Sequence, residues 1–113
     1  MADRTVYDML PEEEILAQMA EECSEAAQAA LKLRRARSGV NPTPTSEKEA
    51  FENLVEELAD VYLCAIVLFG GELPEKDPEN LMDEVGDCLV DTMAEKLERW
   101  KRRLDAKEAE QHD

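Results

Sequence analysis

Aromatic residues are scarce in this chain: Phe, Trp and Tyr make up 4% of its 113 residues. Its core must therefore be mostly aliphatic, with Ala and Met filling in. Histidine occurs once, as His112, in a polar tail that reads as solvated surface. That scarcity argues against zinc and against a di-iron bundle, which needs Glu-x-x-His pairs. The three cysteines, Cys23, Cys64 and Cys88, form no CxxC pair and are odd in number. A disulfide framework and a cysteine zinc site are disfavoured, and the expectation is buried reduced thiols in a cytoplasmic protein. The longest apolar run, residues 61–69, is too short to span a bilayer. The first ten residues lack the apolar stretch of a signal peptide. Basic residues number 13 against 28 acidic ones, a net charge of −15. Such a chain repels nucleic acid polymers and anionic membranes; its negative surface either attracts cations or, more commonly, only keeps the chain in solution.

No stretch alternates with period two, so an all-α fold is expected in one domain spanning 1–113. Residues 1–10 read as an N-terminal arm. Pro11 followed by Glu12, Glu13 and Glu14 suits a first helical turn. Apolar residues then recur at helical spacing from Ile15 to Leu33, and Arg34, Arg35 and Arg37 before Ser38-Gly39 make a stop signal. Pro42 and Pro44 forbid helix in the loop that follows. Ser46 with Glu49 reads as a capping box for a second helix, closed by Gly70-Gly71. After a loop over 71–76, Asp77-Pro78 opens a third helix whose apolar face holds Leu81, Met82, Val85, Leu89, Met93, Leu97, Trp100 and Leu104. Residues 105–113 read as a frayed polar tail. The expected architecture is an antiparallel bundle of three to four main helices, completed by oligomerisation.

One pattern occurs twice, 35 residues apart: Glu21-Glu22-Cys23-Ser24-Glu25 and Glu56-Glu57-Leu58-Ala59-Asp60. Acids three residues apart are common here, with eight such pairs in the chain. Two features single out Glu22/Glu25 and Glu57/Asp60. A short loop makes the first two helices an antiparallel hairpin, and at about 1.5 Å per residue the two pairs then stand level within roughly one turn. With Cys23 and Leu58 as the middles of the two apolar faces, Glu22 and Glu57 each lie about 100° round the helix, at the rim. Four carboxylates so gathered either meet lysines and arginines, point apart into solvent, or hold a hard divalent cation through oxygen.

Glu-Glu-x-x-Glu in one helix and Glu-Glu-Leu-Ala-Asp-Val in the next resemble the all-α nucleoside triphosphate pyrophosphohydrolases, the MazG-like superfamily. The resemblance covers residues 11–69, and the helix order fits to about 104. It implies cleavage of a nucleoside triphosphate between the α and β phosphates, giving a monophosphate and pyrophosphate. It implies magnesium, with manganese as a substitute, held by Glu22, Glu25, Glu57 and Asp60. Glu22 or Glu25 would act as the base, with Glu21 and Glu56 solvated or in support. Lys96 and Arg99, and less strongly Lys32, would meet the phosphates. Trp100 and Tyr62 would either stack on a base or pack. A homodimer or homotetramer is implied. The alternative from another class is a catalytically silent helical oligomerisation or interaction module with an acidic surface.

Overall fold

Pro11 sets the start of the first long helix. Its φ of −60° and ψ of 145° keep it just outside the helix, where its carbonyl accepts the Glu14 and Ile15 amides at 2.9 and 3.3 Å. It is thus the capping residue rather than the first helical one, a displacement of one position. In this computed structural model, which describes residues 6–70 and 78–111 (side chains of the second span from 83 onward), all regular structure is helical. The elements are α1 (Val6–Met9), α2 (Glu12–Ser38), α3 (Glu47–Gly70) and α4 (Pro78–Gln111). The expected loop over 71–76, the Asp77 cap, the side chains of Leu81 and Met82, and His112 lie outside the described residues. Among those described, no helix is long and apolar enough to cross a membrane.

The chain divides into two compact units, Met1–Lys76 and Asp77–Asp113. In the first, α2 and α3 form a hairpin, and the single turn of α1, within the segment expected as an arm, packs on α3. α2 stops because Gly39 takes the left-handed conformation, φ 67°, and donates its amide to the Arg35 carbonyl at 2.9 Å. That geometry penalises any residue with a Cβ. Ser46 Oγ accepts the Glu49 amide at 3.1 Å, which starts α3 as the sequence predicts. Between the two ends, Arg37 Nε donates to Glu47 Oε1 at 3.0 Å, and the guanidinium lies 5.8 Å from the centre of the Phe51 ring.

The hairpin seam differs from the apolar faces centred on Cys23 and Leu58, both of which are exposed. Buried or half-buried positions on α2 include Ile15, Met19, Glu22, Ala26, Ala29 and Leu33. On α3 they include Ala50, Leu54, Glu57, Val61, Cys64 and Leu68. Both sets step by four and three residues, the spacing of a seam between two nearly parallel or antiparallel helices. The same 35-residue shift that relates the acidic motifs relates all six positions. Ala29 and Ala50, each 1% exposed, let the helices approach closely near the loop.

The second unit is α4. It continues through residues 105–111, where the sequence reading expects a frayed tail. Ala106, Lys107, Glu108 and Ala109 are strong helix formers, so local preference outweighs the lack of apolar anchors there.

Candidate metal centre

Two register marks fix the hairpin as antiparallel: Arg37 meets Glu47 near the loop, and Glu22 meets Glu57 further from it. The same register sets Ala29 against Ala50, seven residues toward the loop on each helix. Glu22 and Glu57 therefore occupy seam positions and not the rim. The rim reading fails because it centres each helix on its most apolar arc. The packed arc is the one with small residues, where backbones can close up.

Glu22, Glu25 and Glu57 each offer a carboxylate oxygen, and these oxygens all lie within 4.8 Å of one another. Glu22 and Glu57 are half-buried and Glu25 is exposed. Asp60 is exposed and is not one of the three, but its charge acts on Glu22 and on Cys64. Glu21 and Glu56 are exposed, as solvated neighbours would be.

The seam is a costly place for negative charge. Glu22 Oε1 accepts the Gln18 amide nitrogen at 2.7 Å, one helical turn back. Its Oε2 and the Oε2 of Glu57 are sealed from solvent with no hydrogen-bond partner. Buried polar atoms are nearly always paired, and an unpaired one costs free energy. Removal from water raises the Glu22 pKa above its ordinary 4.5; the Gln18 hydrogen bond opposes this, and the charges of Glu25 and Asp60 add to it. Among the described residues no lysine or arginine forms an ion pair with these three carboxylates. Among the described residues, neutralisation by lysine or arginine is thus absent where the acids converge. An all-oxygen set with two orphaned atoms and one exposed member matches what a hard divalent cation requires: a few carboxylates, with positions left for water or phosphate.

Two residues near the centre are missed by motif reading. Gln18 stands four residues before Glu22, a spacing at which helical side chains meet. Cys64 is half-buried, and its thiol is pushed up in pKa by burial, then by the charges of Glu22, Asp60 and Cys23. The cysteine expectation needs correction in part: all three are free, but Cys23 and Cys88 are exposed rather than buried.

Lys32 is exposed on α2, two turns beyond Glu25, or roughly 10 Å along the axis. Lys96, Arg99 and Trp100 belong to the second unit, where with Arg102 and Arg103 they line one surface groove of α4. Tyr62 is exposed on α3. The chain matches no protein-family model, no curated protein and no solved structure.

Proposed function

We propose that this chain is a magnesium-dependent nucleoside triphosphate pyrophosphohydrolase. The observation that carries the proposal is the convergence of Glu22, Glu25 and Glu57 within 4.8 Å, with two of their oxygens sealed in the seam and unpartnered. The likeness of the doubled motif to the MazG-like enzymes supplies the substrate class and the bond broken. Glu22, Glu25 and Glu57 would hold the cation, with Asp60 one turn along α3 closing the set; manganese is the natural substitute. When bound, the cation supplies charge neutralisation for the triphosphate and polarises its phosphoryl oxygens. Glu25 is the exposed member, so it can reach a water from solvent and take its proton. Glu22, with one oxygen sealed and the other tied to Gln18, orients rather than exchanges. Lys32 is the proposed phosphate contact on the hairpin, with Tyr62 against the base.

The products would be a nucleoside monophosphate and pyrophosphate. A nucleotide substrate assigns the activity to the cytoplasm. We further propose a homodimer or homotetramer. The hairpin exposes Leu16, Leu31, Phe51, Val55, Leu58 and Tyr62, an apolar surface suited to a second copy. That same surface favours the second reading, an interaction module without catalysis.

A panel of canonical and modified triphosphates with magnesium, scored for pyrophosphate release, tests the proposal. Release from at least one substrate is expected, lost in Glu25→Gln and Asp60→Asn while both variants stay folded. No release from any triphosphate sinks the enzyme. Thermal shifts separate the two readings: cation plus nucleotide at a hundredfold excess over Kd stabilises the enzyme by about 2.7 kcal/mol, whereas the module shows little response.

A further inference from the structure

α4 carries a stripe that nothing in its own unit covers. Val90, Met93, Leu97, Trp100 and Leu104 are spaced by three and four residues and are each 53% to 59% exposed. Every residue from 91 to 111 is exposed. A sustained three–four spacing is the seam of a two-helix coiled coil, with Val90, Leu97 and Leu104 at one core position and Met93 and Trp100 at the other. Long polar helices gain most of their stability from packing such a stripe.

The charges along α4 say what packs there. Residues 83–95 hold five acids and no base; residues 96–103 hold five bases and one acid. A parallel pair of copies would set acid block against acid block and Lys96 against the partner's Lys101 on both sides. An antiparallel pair reverses this, laying the acidic block of each copy along the basic block of the other. We infer that α4 docks antiparallel on α4 of a second copy, with the two-fold axis passing the level of Glu95.

The inferred register is specific. Met93 packs against the partner's Leu97, Val90 against the partner's Trp100, and Gly86 against the partner's Leu104. In the outer two of these layers a smaller residue thus faces a larger one. One layer further out, Asp83 meets the partner's Lys107. Beside the core, Asp87 meets the partner's Lys101, and both pairs occur twice by symmetry. The like-charged contact is Lys96 with its own symmetry mate, at an exposed edge where its cost is small. This inference rests on α4 alone and stands whether or not the hairpin hydrolyses nucleotides.

Trp100 is the sole tryptophan, so its fluorescence in the full chain reads this seam directly. As concentration rises through the dimer transition followed by sedimentation, its emission should shift to the blue and acrylamide quenching should fall. Asp87→Lys and Lys101→Asp, both on the exposed surface, should each weaken the dimer about tenfold, and the double variant should restore it. Three results overturn the inference: a Trp100 that stays fully quenchable at every concentration, a Lys101→Asp variant that associates more tightly, as parallel pairing demands, or a double variant no better than the singles. Helicity measured by circular dichroism confirms that each variant is folded, and pyrophosphate release is scored separately.

Discussion

Glu22 concentrates the chemistry of the hairpin in one side chain. Its pKa is raised, first by burial, so the folded state binds its proton more tightly than the unfolded chain does. The sign follows from linkage: the cost of ionising Glu22 is absent below the unfolded value of about 4.5 and appears as pH rises through the folded value. Glu22→Gln keeps an acceptor for Gln18 and removes the titration. Wild type is therefore expected to lose thermal stability relative to Glu22→Gln as pH rises from about 4.5 toward neutrality, in metal-free buffer. Saturating magnesium should shrink the gap, because the cation supplies the missing partner. Melting curves of both proteins across that range, with and without magnesium, check this; a gap that is constant with pH contradicts it. Cys64 shares the electrostatic environment and is held as a thiol.

At the scale of the element, the α2–α3 hairpin is a device for bringing two acidic motifs to one level. Capping at Pro11 and Ser46, the left-handed Gly39 and the Arg37–Glu47 pair set where each helix begins and ends. Ala29 and Ala50 then set how near the two axes come. Enlarging one of them must push the seam apart. Ala50→Leu is expected to destabilise the chain by about 1–3 kcal/mol through overpacking. It should also weaken magnesium binding, since carboxylate oxygens now within 4.8 Å would separate. Denaturant unfolding and isothermal titration measure the two effects. Unchanged metal affinity with a destabilised fold would show that the seam spacing does not govern the site.

At the scale of the molecule, the dominant fact is unpartnered apolar surface. The described residues expose sixteen large hydrophobic side chains against six buried hydrophobic ones, so a lone copy leaves much of its apolar surface in water. With the hairpin face proposed as one contact, Leu58→Glu, 52% exposed in the wild type, should lower the mass of the assembly in solution. Fully desolvated apolar contacts of this size are worth about 1.5–3 kcal/mol each, enough to move a dissociation constant by ten- to a hundredfold. Analytical ultracentrifugation reads the change directly; an unaltered mass distribution over a wide concentration range removes the hairpin face from the assembly.

Helix content, the two loop-side caps, the pairing of α2 with α3 and the acidic motifs could all be read from residue order. Each depends on local preference or on periodicity along one helix: proline and glycine act on their own φ, and a serine cap reaches only three residues. Which arc of each helix faces the other could not be read that way. Apolar content favours arcs centred on Cys23 and Leu58, yet two helices close best along Ala26, Ala29 and Ala50, where backbones can approach. That choice turned Glu22 and Glu57 from rim residues into seam residues, sealed one oxygen of each from water and left both without a donor. The sequence by itself determined that acids would stand level on a helical hairpin. Only the tertiary structure decided that they converge inside it, because contact distance between helices is set by side-chain volume at facing positions, a property of the pair.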